Sequence, residues 1–273
     1  MINKIRHKGF QDLVSFLKGH TPSALAFSGG TDSAFLAYVA SRVIPPGQFM
    51  TYTFDTAYMN RSELEEARQF CERYEIPHKV LRMPIPRGIL DNPENRCYLC
   101  KLALFTTFRK TAEQDGIIYL FDGTNTDDTE GYRPGRKALK ELGILSPLLE
   151  SGLGKNEVRM LSRELGLPTW NKPSNACLLT RLPYDHKVTE DVLRRIEAAE
   201  TFLHAKGFTG VRVRTHGDLA RLELSSEEME RLHNKELREE IVRELKGLGY
   251  LFVTLDLEGF RSGSYDQALQ EKK

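Results

Sequence analysis

The stretch SALAFSGGTDSAFLAYVASR spans residues 23–42 and decides the fold. Its first five residues form an apolar run of strand length, and the apolar positions after Thr31 recur at helical spacing. The run from Ser28 to Ser33 is therefore predicted to be a turn between a strand and a helix. At such a turn, free backbone N–H groups and the positive end of the helix dipole favour an anion such as phosphate.

The side chains of this turn suit the phosphates of a nucleotide. Two adjacent glycines let the backbone approach phosphate oxygens closely, three hydroxyl groups can donate hydrogen bonds, and a carboxylate is a suitable Mg²⁺ ligand. The turn has no Walker lysine, so hydrolysis of the γ-phosphate is not indicated. A glycine turn without a ligand is the alternative for two glycines alone. We assign nucleotide binding to the whole turn: Ser28, Gly29, Gly30, Thr31, Asp32 and Ser33.

The residues around this turn predict an α/β fold with a doubly wound, mainly parallel sheet. Up to Asp122, strand-length runs alternate with helical patterns, which is typical of parallel strands joined by crossover helices. One of these helices is predicted to begin with a capping box made by Ser62 and Glu65. From Thr189 the pattern changes to a long helix, two strands, a charged helix over residues 226–248 and a last strand. We predict a nucleotide-binding domain over residues 1–185 and a small α+β domain over residues 186–273.

A second polar turn follows the strand GIIYLFD at residues 116–122. In an open parallel sheet, ligands bind beyond the carboxyl ends of the strands, so this turn and the first are expected to face one crevice. A polar turn without a ligand is the alternative. We assign nucleotide binding here to Gly123, Thr124, Asn125 and Asp127.

Composition narrows the class of partner. The chain has 39 Lys and Arg against 38 Asp and Glu, so its net charge of +1 gives no general attraction for a nucleic acid. No apolar stretch is long enough to cross a bilayer, and the N-terminal segment lacks a cleavage site. We expect a cytoplasmic protein that acts on a small molecule, without nucleic acid or membrane partners.

Three segments resemble a known family. SGGTDS after a strand resembles the PP-loop of ATP pyrophosphatases, which cut ATP between the α- and β-phosphates. Residues 131–184, 210–224 and 250–264, which include NKPSNACLLTRLPY and GVRVRTHGDLARLEL, are similar to the LarE-type sulfur transferases. The similarity covers essentially the whole chain. It implies an enzyme that uses ATP, forms AMP and pyrophosphate, and transfers sulfur in nickel-pincer nucleotide synthesis.

The resemblance also implies a substrate and a sulfur-carrying residue. The family adenylates a carboxylate of pyridinium-3,5-biscarboxylic acid mononucleotide and replaces one oxygen by sulfur. Cys177 matches the cysteine that can give up its sulfur and become dehydroalanine. Many members have CLASR where this chain has CLLTR, so Thr180 keeps a hydroxyl and Leu179 changes the packing. We assign catalysis to Cys177, Asp32 and Arg181, with Arg181 in a supporting electrostatic role.

Two further cysteines raise the question of a metal. Cys97 and Cys100 lie three residues apart at a predicted helix start, a spacing that presents both sulfurs to one metal. With Cys177 they would give three ligands to a 4Fe–4S cluster, as in related three-cysteine sulfur transferases. A zinc site with a histidine such as His186, a redox pair and inert core thiols remain alternatives. Cys71, among apolar helix neighbours, is predicted to be a buried structural thiol.

The predicted small domain carries the candidate acceptor residues. Arg212 and Arg214 alternate on a strand, so they point to one face and can clamp a phosphate. A solvated strand face is the alternative, and the family resemblance favours the clamp. Glu200 is assigned to orient one of these arginines or bind a metal, and Arg261 is a weaker candidate for the same pocket. The resemblance also implies a homo-oligomer.

Two other functions stay open at this point. A tRNA thiolation enzyme would use the same adenylation chemistry, but it usually carries a basic RNA-binding appendage. The second alternative is a non-catalytic nucleotide-binding sensor with a metal site.

Overall fold

The chain forms two units in the computed structural model, which describes residues 2, 5–129, 134–173 and 175–261. The first unit consists of Met1–Gly88 and Asn95–Asn175, and the second of Ile89–Glu94 and Ala176–Lys273. A short segment between two elements of the first unit therefore belongs to the second. The functional division into an ATP-binding domain and an acceptor-binding domain stays a prediction.

The first unit is built on a parallel sheet of four strands. Its strands are β1 (Ser23–Ala26), β2 (Phe49–Asp55), β3 (His78–Arg82) and β4 (Tyr119–Phe121), in the order β3-β2-β1-β4. Every neighbouring pair is parallel. The predicted α/β class with a mainly parallel sheet is confirmed.

Helices cover both faces of this sheet because successive strand residues point to opposite sides. Leu25 packs in one core cluster with the helix residues Phe35 and Leu161, whereas Ala24 packs in a second cluster with the helix residue Phe108. Both clusters are buried, which makes the sheet the middle layer. The helices are α1 (Lys8–Gly19), α2 (Thr31–Val43), α3 (Arg61–Arg73), α4 (Arg96–Gln114), α5 (Gly135–Glu141), α6 (Pro147–Glu150) and α7 (Lys155–Glu164).

The capping box predicted at the start of α3 is wrong. The helix begins one residue earlier, and its N-cap is Asn60, whose side chain accepts a hydrogen bond from the backbone N–H of Ser62 at 3.0 Å. Asparagine caps helices as well as serine does, so the local hydrogen bond decides between two suitable residues.

The second unit is a small α+β fold. Its elements are α8 (Glu190–Ala205), β5 (Arg212–His216), β6 (Leu219–Glu223), α9 (Ser226–Glu230), α10 (Lys235–Gly247) and β7 (Phe252–Leu255). β6 pairs antiparallel with β5 and parallel with β7. The single charged helix predicted over residues 226–248 is wrong. Asn234 interrupts it, because its side chain accepts the N–H of Leu237 at 2.8 Å and so begins α10.

Among the described residues, no helix is both long and apolar enough to span a membrane. Residues 131–133, 174 and 262–264 of the segments that carry the family resemblance lie outside the described residues.

Candidate active site

The first polar turn joins β1 to α2 with a fixed backbone. Gly30 is the N-cap residue of α2, and no side chain caps this helix. Gly29 has a φ of +73°, and a Cβ atom there would lie 3.1 Å from the Cβ of Ala67. The hydroxyl of Ser33 donates to the carbonyl of Gly30 at 3.2 Å and lies 3.0 Å from the hydroxyl of Ser28. The turn therefore presents the start of a helix dipole on a backbone whose conformation at Gly29 favours glycine.

The second polar turn lies against the first. A Cβ atom on Gly123 would lie 3.3 Å from the backbone nitrogen of Ser33, so the two turns are in direct contact. Within the turn, the amide oxygen of Asn125 accepts the N–H of Asp127 at 2.9 Å. Asp127 in turn accepts the N–H of Lys155 at 3.1 Å, which places its carboxylate at the start of α7. Asp127 and Asn125 thus also stabilise the structure around the site.

Asp32 combines burial with an unused hydrogen-bond acceptor. Burial raises the pKa of its carboxyl group, and a hydrogen bond with Asn125 opposes this rise. Asp128 raises the pKa further, whereas Lys155 and Arg159 lower it. The buried oxygen Oδ1 accepts no hydrogen bond from the described residues. A carboxylate oxygen in this position is suited to a hard cation such as Mg²⁺.

The residues that hold the first turn from outside were not predicted from the sequence. The hydroxyl of Thr31 donates to the carbonyl of Thr169 at 2.8 Å. Lys172 Nζ donates to the carbonyl of Gly29 at 3.1 Å and forms an ion pair with Glu66 at 2.6 Å. Residues 169–172 therefore act as a strap across the turn. The strap brings a lysine ammonium group to a phosphate turn that has no Walker lysine.

The cysteines of the first unit fall into two classes. Cys97 and Cys100 lie in the first two turns of α4, with Cys97 exposed and Cys100 half-buried. The hydroxyl of Tyr58 lies 3.2 Å from the Cys100 sulfur. Cys71 is buried in the core, and burial raises the pKa of its thiol to about 11. Its predicted burial is confirmed.

Cys177 belongs to the second unit and precedes a single 3₁₀ turn, Leu178–Arg181. It is half-buried. Its carbonyl oxygen accepts three hydrogen bonds: from the Thr180 N–H at 3.0 Å, the Thr180 hydroxyl at 2.8 Å and the Arg181 guanidinium at 3.3 Å. The backbone of the proposed sulfur-carrying residue is thus held in place.

Arg181 holds this backbone from a buried ion pair. Its guanidinium makes two hydrogen bonds of 2.9 Å to the carboxylate of Glu200, and both side chains are 1% exposed. It also donates to the carbonyl of Ala176 at 2.7 Å. Glu200 accepts the N–H of Val213 at 2.9 Å as well. In the structure, Glu200 therefore orients Arg181.

The two arginines of β5 have different surroundings. Arg214 is buried, with hydrogen bonds to Glu223 at 2.8 Å and to the carbonyl of Thr180. Arg212 is half-buried, lies 5.1 Å from the ring centre of Phe260, and forms no ion pair within the described part of this unit. Burial lowers the pKa of Arg212 to about 10, and Arg181 contributes to the shift. An anion bound at Arg212 would offset both effects.

The other metal and acceptor candidates gain less support from the structure. Across the described residues, no three His, Cys, Asp or Glu side chains are grouped to hold a metal ion. The cluster on Cys97, Cys100 and Cys177 therefore stays a prediction. The guanidinium of Arg261 donates a hydrogen bond of 3.1 Å to the carboxylate of Glu258.

Comparisons with known proteins identify the family. The asparagine synthase family model matches residues 10–88, which contain the first polar turn. An uncharacterized protein of Synechocystis is 40% identical, in an alignment that covers 90% of this chain and 92% of that protein. The pyridinium-3,5-bisthiocarboxylic acid mononucleotide synthase of Lactiplantibacillus plantarum is 32% identical, covering 94% of this chain and 93% of its own. The chain belongs to the LarE-type sulfur transferases. An uncharacterized protein of Methanocaldococcus jannaschii is 31% identical, in an alignment that covers 87% of this chain and 90% of that protein.

Membership of the LarE-type family makes this chain an ATP-dependent sulfurtransferase with a PP-loop. The turn over residues 28–33 is that PP-loop.

We expect Gly29→Ala to weaken ATP binding to this LarE-type enzyme by about tenfold. The methyl group would meet Ala67 and force an L-residue into a left-handed conformation, at a strain of about 1–2 kcal/mol. Gly116→Ala is the matched control, because Gly116 has a φ of +74° with nothing within 4 Å of its Cβ position. Calorimetric titration with ATP separates the two variants. Equal ATP affinity in both would contradict the assignment of the PP-loop.

Proposed function

We propose that this enzyme adenylates a carboxylate of pyridinium-3,5-biscarboxylic acid mononucleotide and replaces one oxygen by sulfur. The observation that carries the proposal is the PP-loop, with Asp32 beside the start of α2, in a chain related along its length to a pyridinium-3,5-bisthiocarboxylic acid mononucleotide synthase. This acceptor is a small molecule with carboxylates and one phosphate, not a nucleic acid. It therefore suits a chain whose net charge is +1.

The chemistry explains the need for ATP. A carboxylate oxygen of the acceptor attacks the α-phosphorus of ATP, the bond to the β-phosphate breaks, and pyrophosphate leaves. The acyl adenylate then has AMP as a good leaving group, so a sulfur nucleophile can attack the carbonyl carbon and displace it. The products are the thiocarboxylate, AMP and pyrophosphate.

The residues of the PP-loop fit ATP with Mg²⁺. The uncapped start of α2 supplies backbone N–H groups for a phosphate, and the free oxygen of Asp32 supplies a ligand for the cation. Mg²⁺ neutralises phosphate charge when it is bound. Lys172 and Arg159 add positive charge near the same loop.

We expect ATP and the acceptor to give AMP and pyrophosphate in equal amounts. Asp32→Ala and Asp32→Asn are expected to lower this rate by about a hundredfold or more, since both remove the negative charge that would hold the cation. Asp12→Ala, on the exposed face of α1, is the control. Chromatography of the nucleotide products decides, and the appearance of ADP and phosphate would refute the proposal.

The acceptor's phosphate is proposed to bind at Arg212. Within the described part of this unit, Arg181 is paired with Glu200 and Arg214 with Glu223, whereas Arg212 forms no ion pair, so Arg212 can pair with an added anion. Arg214 and Glu200, which the sequence placed at the phosphate, support the geometry around it.

The homo-oligomeric state implied by the family also remains a proposal.

We expect Arg212→Ala to weaken acceptor binding by about tenfold to a hundredfold, the loss of a charge-assisted contact of about 1.5–3 kcal/mol. ATP affinity should not change. Arg194→Ala, an exposed arginine of α8, is the control. Calorimetry with acceptor and with ATP gives both affinities. Unchanged acceptor affinity in Arg212→Ala would contradict the assignment of the phosphate site. In a separate filter-binding assay of the wild type, specific retention of bulk tRNA would favour a tRNA thiolation enzyme instead.

The sulfur is proposed to come from a 4Fe–4S cluster on Cys97, Cys100 and Cys177. The start of α4 supports the first two ligands, since residues three apart on a helix lie on one face. A sacrificial mechanism at Cys177 alone would leave that pair without a task. Three protein ligands would leave one iron of the cluster available to a hydrosulfide.

We expect anaerobically purified protein to be brown, to contain about four irons per chain, and to turn over repeatedly with added sulfide. Cys97→Ser, Cys100→Ser and Cys177→Ser should each lose both the iron and the repeated turnover. Cys71→Ala should keep both, because Cys71 lies in the core. A colourless protein that reacts once, with Cys177 lighter by about 34 Da as dehydroalanine, would show that the cysteine itself is consumed.

A further inference from the structure

The turn that carries Cys177 is held on its second side by a residue that no sequence motif indicates. Asn92 lies in the short segment Ile89–Glu94, which belongs to the second unit, and its side chain is fully buried. Its amide nitrogen donates to the carbonyls of Pro183 at 2.7 Å, Leu182 at 3.1 Å and Leu179 at 3.4 Å. These carbonyls follow Cys177 directly in the chain.

The chemistry of the three partners fixes the orientation of this amide. All three are carbonyl oxygens, which only accept hydrogen bonds, so the NH₂ group and not the oxygen must face them. The Asn92 oxygen accepts no hydrogen bond from the described residues. The donors therefore explain why an amide is buried here, since a buried polar group is costly unless it is paired.

The backbone of the same segment adds to the attachment. The N–H of Asp185 donates to the Asn92 carbonyl at 3.2 Å, and the N–H of Val188 donates to the Leu90 carbonyl at 2.6 Å. Asn92 has a φ of 48°, a left-handed conformation that asparagine adopts more readily than most residues. The conformation turns the side chain and the carbonyl of one residue toward the same loop.

We propose that Asn92 is a positioning residue for Cys177. Arg181 binds the carbonyls of Ala176 and Cys177 on one side of the 3₁₀ turn, and Asn92 binds the carbonyls after the turn on the other. The turn is clamped between the two. The inference rests on the proposed function, in which the sulfur handled at Cys177 must meet the acyl adenylate in a defined position.

Asn92→Gly tests the clamp without straining the backbone, because glycine adopts positive φ freely and only the donors are lost. We expect amide hydrogen exchange in residues 176–184 to become faster by about tenfold, and single-turnover sulfur transfer to become slower by about a hundredfold. AMP formation at the PP-loop and ATP affinity should keep their wild-type values. Asn92→Asp, which puts an oxygen opposite three carbonyls, should show the same losses.

Tyr250→Phe is the matched control within the unit. It removes a buried hydrogen bond of 2.7 Å between Tyr250 and Thr215. Exchange in residues 176–184 and sulfur transfer should stay as in the wild type. The inference is overturned if Asn92→Asp transfers sulfur at the wild-type rate, or if Asn92→Gly speeds exchange equally in β5 and β6, which would mean general destabilisation. A wild-type protein that transfers no sulfur would instead refute the proposed function, while the exchange data still decide whether Asn92 clamps the turn.

Discussion

The reversal of strand order beside β1 is the constraint on which the proposed ATP site depends. The chain runs outward from β1 to β2 and β3, then crosses back to place β4 on the other side of β1. The turns after β1 and β4 therefore leave the sheet at neighbouring carboxyl ends, where ligands of open α/β sheets bind. Gly123 lies against the first turn of α2 for this reason. A side chain there would press on the backbone that is meant to receive the phosphate.

Much of this site could be predicted from the sequence because its parts are local. The strand, the glycine turn and the helix are consecutive, and residue types and spacing are enough to indicate each. The strap is different: Lys172 donates to Gly29 from 143 positions along the chain, and nothing near Lys172 marks it as a partner. Asn234 was a missed local signal, since an N-cap residue inside a charged helical pattern indicates a break.

The arginines show why residue type alone does not identify a binding group. Alternation places Arg212 and Arg214 on one face of β5, but it does not say which of them already has a partner. Arg212 is directly opposite Glu223 in the register, yet the guanidinium of Arg214 takes that carboxylate. Buried charges are retained where they are paired, so the paired arginines support the site and the remaining one is suited to a ligand.

The hydrogen bonds that hold Cys177 end on its carbonyl oxygen, and none of them requires the sulfur. Conversion of this residue to dehydroalanine would therefore leave the attachment of the 3₁₀ turn unchanged. A chain that consumes its cysteine and a chain that uses it as a ligand can share the same scaffold for this reason. We propose that what separates repeated from single turnover lies outside the turn, at Cys97 and Cys100 in the first two turns of α4.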